Sequence, residues 1–318
     1  MKLVLIFLAA SAAAAALALT VRYAVGLGIN RDAGFSKIAD NDPEVHAGWN
    51  RYADKLKAGM DRLRELEGED VYMESFDGLR LYAKLCRHSR TDKLKGIVIL
   101  SHGYRSSPYK DFSVSGDLLF REGYDLLIVS QRAQGRSEGR YICFGQNEAK
   151  DIAAWSRLME ERYAQELPIY LSGVSMGATA VMLAMGEDVS PRVKAVVADC
   201  GFSSAEEIVK HMIRKVLHLP AFPLYQLVDR EFRRRTGCTF SRSTVPVLAE
   251  SALPILLIHG KADGFVYPQM SRANYEASAA GPSDKQLLMI EGAKHAQSFY
   301  TEEERVGRAL LAFLDKHR

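Results

Sequence analysis

The residues that could carry out chemistry are centred on Ser175. It lies in the pattern Gly173-Val174-Ser175-Met176-Gly177, between an apolar run that predicts a strand and an Ala-rich segment that predicts a helix. A serine on such a tight turn presents its hydroxyl at the helix N-terminus, where the helix dipole and free N–H groups favour developing negative charge. The small residues on either side relieve the crowding of a strained turn. The pattern therefore predicts that Ser175 is a nucleophile.

A serine hydroxyl is a poor nucleophile without a base, and His295 is the candidate base. His295 follows the last predicted strand, and Asp263 follows the strand before it. A carboxylate at that place would accept the Nδ1–H of the histidine, fix its tautomer and stabilise the imidazolium. Asp199 also ends a predicted strand and is the rival acid, but the loop after the next-to-last strand favours Asp263.

The oxyanion of an acyl-transfer reaction needs two preorganised donors. The backbone N–H of Met176, the residue after the nucleophile, is predicted to be one of them. The loop of residues 101–105 should supply the other, and the backbone N–H of Tyr104 is the candidate. We interpret His102 in this loop as structural, and Arg105 as an exposed side chain rather than a binder of acidic substrate groups.

The segments that must position these residues alternate between strands and helices from about residue 70. Asp77-Gly78 between two strand-like runs predicts a hairpin, and the later continuous apolar runs predict strands buried on both faces. The predicted strands are Val71–Phe76, Leu79–Cys86, Gly96–Ser101, Tyr124–Val129, Ile169–Val174, Ala195–Asp199, Ile255–His259 and Gln286–Ile290. The predicted helices are Asp111–Glu122, Asn147–Ala164, Ser175–Gly186, Gln269–Ala280 and Thr301–Lys316, with Asn147 and Thr301 as N-caps. This order predicts an α/β fold: a mostly parallel eight-stranded sheet with helices on both faces and the first hairpin at its edge.

Residues of about 202–253 interrupt this alternation, since they show helical patterning without a clear strand. We predict that they form a helical cap insertion over the strand ends. The apolar residues at 220 and 222–225 could line an acyl pocket there, or could be ordinary helix packing.

At these positions the chain resembles the α/β-hydrolase superfamily, over about residues 70–316. The resemblance rests on His102-Gly103, Gly173 to Gly177, His259-Gly260 with Asp263, and His295, in the chain order Ser, Asp, His. More narrowly, the chain resembles membrane-anchored bacterial hydrolases of the serine aminopeptidase-like or dipeptidyl-peptidase-like esterase kind. Such relatives often carry Asp-x-Arg-Gly-His-Gly-x-Ser where this chain reads Gln131 to Gly139, and the chain departs from that pattern at Ala133 and Gln134. The resemblance implies the α/β-hydrolase fold and acyl transfer to water without a metal or an organic cofactor.

The N-terminal residues 1–28 are predicted to be a membrane anchor or a signal peptide. Leu3 to Thr20 carry no charge and are long enough to cross a bilayer, while the abundant alanines offer cleavage sites. We favour an uncleaved anchor with the catalytic domain outside the cytoplasm, and secretion after cleavage is the alternative. Residues 29–69 are predicted to form a helical connector that docks on the hydrolase domain of residues 70–318.

Composition narrows the classes of function. The chain has 318 residues, 47% of them apolar and 25% charged, which is typical of a globular protein. A formal charge of +3 without a basic stripe argues against nucleic-acid binding. The four cysteines form no CxxC pair, and P-loop, HExxH and Rossmann patterns are missing from the sequence, so no metal or cofactor is expected. The oligomeric state stays open.

Three functions fit this sequence. The leading hypothesis is a serine hydrolase that cleaves carboxylic esters (EC 3.1.1) of small or medium acyl length through an acyl-enzyme. The second is a serine exopeptidase acting on short peptides, which would need an acidic clamp for the substrate amine, with Glu206, Glu207 and Asp229 as candidates. The third is a non-catalytic, membrane-bound binding protein with a hydrolase fold, which a replaced triad residue would favour.

Overall fold

The structure is a computed structural model that describes residues 2–33, 49–88, 94–215 and 218–318. Residues 34–48, in the middle of the predicted connector, lie outside the described residues. The described connector residues Trp49, Tyr52 and Leu56 pack against the core.

The centre of the fold is one eight-stranded sheet. Its strands are β1 (Glu69–Glu74), β2 (Arg80–Cys86), β3 (Gly96–Ser101), β4 (Tyr124–Ser130), β5 (Ile169–Val174), β6 (Val193–Asp199), β7 (Ile255–Gly260) and β8 (Lys285–Ile290). Their order in the sheet is β1-β2-β4-β3-β5-β6-β7-β8. The β1–β2 and β2–β4 pairs are antiparallel, and all other neighbours are parallel. The predicted mostly parallel sheet with an edge hairpin is therefore confirmed.

Helices connect the strands and cover the sheet. They are α1 (Lys2–Ile29), α2 (Ala53–Glu65), α3 (Pro108–Asp111), α4 (Ser115–Arg121), α5 (Gln146–Arg162), α6 (Met176–Ala184), α7 (Ala205–Lys215), α8 (Ala221–Thr236), α9 (Val245–Glu250), α10 (Pro268–Ala277), α11 (Ser298–Thr301) and α12 (Glu303–Lys316). The segments predicted as Asp111–Glu122 and Thr301–Lys316 are each interrupted, so α3–α4 and α11–α12 are pairs of helices.

The N-caps were predicted wrongly for the helices that begin near residues 147 and 301. Gly145 precedes the first turn of α5 with a φ of 92°, a conformation that glycine adopts without strain. Its N–H and that of Cys143 donate to the carboxylate of Glu148, which caps the helix in place of Asn147. The Thr301 hydroxyl donates backwards to the carbonyl of Gln297 and caps nothing.

Each face of the sheet has its own core because strand side chains alternate between faces. In β3, Ile97 and Ile99 pack in a cluster with Trp155 of α5, and Val98 and Leu100 pack in another, which includes α12. All positions of β3, β4, β5 and β7 are buried. This explains why continuous apolar runs marked these strands in the sequence.

A third cluster joins the cap to the N-terminal helix. We call residues 202–253 the cap, and α7, α8 and α9 lie within this range. Val21, Val25 and Ile29 of α1 are buried in one cluster with Phe232 and other residues of the cap. None of the helices in the described ranges combines the length and the apolar character that crossing a bilayer requires.

The parallel strands bring their carboxyl ends to one edge of the sheet. In register, Ser101 of β3 lies beside Gly173 of β5, and Val174 lies beside Asp199 of β6. Ligands of open α/β sheets bind outside the carboxyl ends of the strands. The loops after β3, β5, β6, β7 and β8 are therefore positioned to form a site together.

Candidate active site

Ser175 lies on a strained turn between β5 and α6. Its φ of 56° and ψ of −117° lie outside the regions that L-residues prefer, at a cost of about 1–3 kcal/mol. The turn is held by the Ser175 N–H, which donates to the carbonyl of Asp199 at 2.8 Å. A Cβ at Gly173 would overlap the carbonyl of Gly177, and one at Gly177 would overlap the carbonyl of Ser101. Only glycines fit at these two places, as the crowding argument predicted.

The structure brings the three predicted triad residues together. His295 Nε2 lies 2.9 Å from Ser175 Oγ, and His295 Nδ1 lies 2.7 Å from Asp263 Oδ2. An ionised carboxylate can only accept, so Nδ1 carries the proton and Nε2 is left to accept from the serine hydroxyl. The three side chains come from the loops after β5, β8 and β7, and the arrangement can remove a proton from Ser175.

Asp263 is held as an anion inside the protein. Burial alone would raise the pKa of this carboxyl, but the attraction of His295 and hydrogen bonds from two histidines hold it well below its usual range. Oδ1 accepts from the backbone N–H groups of Phe265 and Val266, both at 2.9 Å. The anion is thus fixed in position as well as in charge.

His259 is a part of this arrangement whose role the sequence did not reveal. Its Nε2 lies 3.2 Å from Asp263 Oδ2 and 2.9 Å from the carbonyl of Val266, and its Nδ1 lies 2.6 Å from Ser271 Oγ. The side chain is fully buried at the end of β7. The motif His259-Gly260 was the available signal, but motif membership alone does not say that the imidazole faces the carboxylate.

The charge on Asp263 raises the pKa of His295. Burial by itself would lower the pKa of the imidazole, but the Coulombic attraction and the hydrogen bond of Asp263 outweigh burial and raise the pKa above its ordinary value. The side chain is 26% exposed, and its ring meets the edge of Phe265. His295 is therefore open to one side, where a substrate could approach.

Asp199, the rival acid, has a different role. Its carboxylate accepts from Ser298 Oγ at 3.1 Å, and no hydrogen bond among the described residues joins it to His295. Burial raises its pKa to about 6. Its backbone carbonyl supports the turn at Ser175, so Asp199 is a neighbour of the triad rather than the partner of the histidine.

The loop after β3 packs directly against the serine. A Cβ at Gly103 would lie 3.3 Å from the Cβ of Ser175, which places the next residue, Tyr104, beside the turn. In the described part of the chain, neither the backbone N–H of Tyr104 nor that of Met176 donates to an acceptor. Both predicted oxyanion donors therefore remain available.

Asp111 fixes this loop, and sequence reasoning missed it. Its Oδ2 accepts from the Gly103 N–H at 2.7 Å, and its Oδ1 accepts from Ser106 Oγ at 2.6 Å. The sequence signal was weak, because an Asp at the start of a predicted helix is ordinarily read as a helix-dipole partner. The bond to the Gly103 N–H restrains the residue immediately before Tyr104.

His102 joins the same loop to the segment that follows β4. Its Nδ1 donates to the carbonyl of Gly103 at 2.9 Å, and its Nε2 accepts from the N–H of Gln131 at 3.2 Å. Burial lowers the pKa of His102, so the imidazole is neutral. These contacts agree with the structural interpretation of His102.

The interpretation of Arg105 as an exposed side chain is wrong. Its guanidinium donates to the backbone carbonyls of Leu27, Asn30 and Ala33, at 3.1, 2.6 and 3.0 Å. Tyr104 also donates its hydroxyl to the carbonyl of Gly28 at 2.5 Å. Two consecutive side chains of the β3 loop therefore bind the C-terminal end of α1, and sequence separation hid this contact.

The three acidic cap residues considered as a clamp for a substrate amine already have cationic partners. Glu206 and Glu207 pair with Lys210 at 2.6 and 3.2 Å, and Asp229 pairs with Arg233 at 3.1 Å. Asp229 also accepts from the N–H of Phe240 and from the hydroxyl of Thr239. Among the apolar cap residues considered for a pocket, Phe222 is 74% exposed and Tyr225 is buried in the third cluster.

One group at the site offers metal-ligand atoms, namely Cys200, Asp263 and His295, which lie within 4.8 Å of one another. Burial raises the pKa of Cys200 well above its usual value, so this thiol stays protonated and is a poor ligand. Asp263 and His295 already satisfy each other. The donor set fits a hydrogen-bonded triad better than a metal.

Comparisons with known proteins agree with this architecture. Residues 92–235 match the family described as "Serine aminopeptidase, S33". The chain is 26% identical over 259 residues to "Uncharacterized protein YqkD" of Bacillus subtilis (strain 168), and the match covers 78% of this chain and 83% of that protein. The esterase PF2001 of Pyrococcus furiosus superposes with a TM-score of 0.66 at 22% identity, over 80% of this chain and 93% of that one. The alpha/beta hydrolase GrgF of Penicillium sp. sh18 superposes with a TM-score of 0.59 at 17% identity, over 79% and 99%.

The chain has the α/β-hydrolase fold. The likeness to these solved structures covers most of both chains.

Proposed function

We propose that this protein is a serine hydrolase that cleaves carboxylic esters through an acyl-enzyme intermediate. The observation that carries the proposal is the continuous hydrogen-bond chain from Ser175 Oγ through His295 to Asp263, with contacts of 2.9 and 2.7 Å. The family match and the superposition on an esterase also support hydrolase chemistry. This support does not depend on the distances within the triad.

The proposed reaction has two steps, each with one proton transfer in each direction. Ser175 Oγ attacks the ester carbonyl while His295 Nε2 takes the hydroxyl proton, and the N–H groups of Tyr104 and Met176 stabilise the oxyanion. His295 then gives the proton to the leaving alcohol, which leaves an acyl group on Ser175. Water attacks that group, its proton passes to His295 and then to Ser175, and the acid is released. Asp263 stays ionised throughout and stabilises the imidazolium.

An ester is favoured over a peptide because of the charges in the cap. An aminopeptidase must compensate the positive charge on the substrate amine, but the three carboxylates considered for that purpose already pair with Lys210 and Arg233. A substrate amine would have to compete with these two cations for the carboxylates. An ester with an apolar acyl group makes no such demand.

The experiment compares two substrate series on the full chain. One series is p-nitrophenyl esters from acetate to laurate, and the other is aminoacyl p-nitroanilides with free amino groups. We expect turnover of the esters that Ser175→Ala abolishes, and little or no release of p-nitroaniline from the aminoacyl series. Aminoacyl turnover that exceeds ester turnover and depends on Ser175 would overturn the substrate class while leaving the nucleophile in place. Turnover that survives Ser175→Ala would overturn both.

We also propose that the protein acts outside the cytoplasm, either anchored or secreted, on the basis of the apolar residues 3–20. The burial of Val21, Val25 and Ile29 in the third cluster argues that a cleavage, if it occurs, precedes Val21. The N-terminal sequence of the protein recovered from fractionated cells tests this directly. A chain that starts at residue 1 and is found in the cytosolic fraction would contradict export.

A further inference from the structure

Two buried thiols meet where the cap joins the body of the domain. Cys143 lies in the segment before α5 and is 3% exposed, and Cys238 follows α8 in the cap and is 6% exposed. Both belong to the buried cluster that joins the cap to α1, and each thiol shifts the pKa of the other because the two side chains are neighbours. The other two cysteines lie elsewhere in the fold: Cys86 ends β2 and Cys200 follows β6.

The backbones around the two thiols are also held together. The side-chain amide of Gln146 donates to the carbonyl of Thr239 at 2.8 Å and accepts from its N–H at 3.2 Å. Gln146 is three residues after Cys143, and Thr239 is the residue after Cys238. A disulfide requires close and steady approach of two Cβ atoms, and this two-bond clamp restrains both segments beside the thiols.

We propose that Cys143 and Cys238 form a disulfide that fastens the cap to the core whenever the protein meets a disulfide oxidant. The inference does not depend on the proposed function, since it concerns only the four cysteines. The oxidant is a small-molecule or protein disulfide, represented in the test by oxidised glutathione. It can act during folding or when the cap opens locally, because both thiols are covered in the closed structure.

The reaction balances in two exchange steps. The thiolate of Cys238 attacks one sulfur of oxidised glutathione, which forms a mixed disulfide and releases one reduced glutathione. Cys143 then loses its proton and attacks the Cys238 sulfur, which forms the protein disulfide and releases the second glutathione. Two electrons and two protons thus pass from the protein to glutathione. The order follows from the interaction between the two thiols, which lowers the pKa of Cys238 and raises that of Cys143.

The bond would tie the cap to a segment that touches the oxyanion loop. Phe144, next to Cys143, stacks on Tyr104 with ring centroids 5.5 Å apart and meets the edges of Phe232 and Phe240 in the cap. The disulfide would close a loop of roughly 95 residues, a length for which the loss of unfolded-state entropy is large. Oxidation should therefore stabilise the fold, with an increase in Tm of at least about 5 °C.

The test uses the full chain, reduced and then equilibrated with a series of ratios of oxidised to reduced glutathione. The samples are denatured, alkylated and analysed by intact mass and by mapping of non-reduced peptides. We expect that two of the four thiols escape alkylation and that one linked peptide pair contains Cys143 and Cys238. Thermal unfolding of native aliquots, taken from the same equilibrations before denaturation, should show the higher Tm in the oxidised form only.

Single serine variants provide matched controls. Cys143→Ser and Cys238→Ser should each abolish the linked pair and the increase in Tm, while Cys86→Ser and Cys200→Ser should keep both. Four alkylated thiols at the most oxidising ratio would overturn the proposal, as would a linkage through Cys86 or Cys200. A glutathione adduct that persists on Cys238 would also overturn it, because the second exchange step would then be blocked.

Discussion

Replacing Asp263 by asparagine should inactivate the protein through the tautomer of His295. In the parent, Oδ1 accepts from the backbone N–H groups of Phe265 and Val266, and Oδ2 accepts from His295 Nδ1. The two N–H donors require an acceptor at the first position, so the single oxygen of the introduced amide must stay there. The amide NH₂ group then faces His295, and only an unprotonated Nδ1 can accept from it. The proton moves to Nε2, which can no longer accept from Ser175.

The expected decrease in kcat follows because the variant loses His295 as a general base but keeps the substrate-binding site. A wrong tautomer in a serine triad lowers turnover by about 10⁴, and we expect a decrease in kcat of about 10³ to 10⁴ here. This corresponds to about 4–5.5 kcal/mol in the barrier. KM should change little, because the side chain of Asp263 is fully buried against His295, where a substrate cannot reach it.

The assay is hydrolysis of the best p-nitrophenyl ester, with Asp199→Asn as the matched control. Asp199 is also buried at the end of a strand, but it bonds Ser298 rather than His295. Asp199→Asn should cost less than about tenfold, or about 1.4 kcal/mol. The reasoning fails if Asp263→Asn stays within tenfold of the parent, or if Asp199→Asn is the more damaging change.

Three other outcomes follow from the described contacts. Gly177→Ala should prevent folding or lower Tm by about 6 °C or more, because the added Cβ would overlap the backbone carbonyl of Ser101. Gly264→Ala is the control: its Cβ would have no atom within 4 Å, so this variant should unfold at the Tm of the parent. Equal Tm values for the two variants would contradict the packing argument. In urea titrations, Arg132→Ala should cost about 3–5 kcal/mol, because it leaves a buried carboxylate without its ion-pair partner. Arg136→Ala breaks an exposed pair and should move the urea midpoint much less. The kcat/KM of the parent should fall at acid pH as His295 becomes protonated, with a midpoint above the ordinary pKa of 6.5; a pH–rate profile with a midpoint below that value would refute the influence of Asp263.

Much of the sheet was predictable because the hydrophobic pattern of each strand lies within a few consecutive residues. Strands buried on both faces read as continuous apolar runs, so the bounds of β3 and β5 agree with the predictions. The triad candidates were also accessible from sequence, since parallel strands must bring their following loops to one edge. The position of Asp263 after the next-to-last strand then favoured it over Asp199, and the distance between Asp263 and His295 agrees with that choice.

The supporting contacts were not predictable, because they join residues that are distant along the chain. Arg105 binds the end of α1 about 75 residues earlier, and nothing in its local sequence distinguishes it from an exposed arginine. Asp111 and His259 were visible as residue types, but their hydrogen bonds to Gly103 and Asp263 depend on how loops pack. The interrupted helices were missed for a related reason, since their apolar spacing continues across the break.

The most direct test of the proposed function is covalent labelling of the full chain with a fluorophosphonate, followed by intact mass and peptide mapping. The probe reacts with a serine only if a base activates it and donors stabilise the charge that forms on phosphorus-bound oxygen. We predict one adduct per chain, located on Ser175 and lost in Ser175→Ala. Folded parent protein that stays unlabelled, or a label on another residue, would contradict the assignment of Ser175 as the nucleophile.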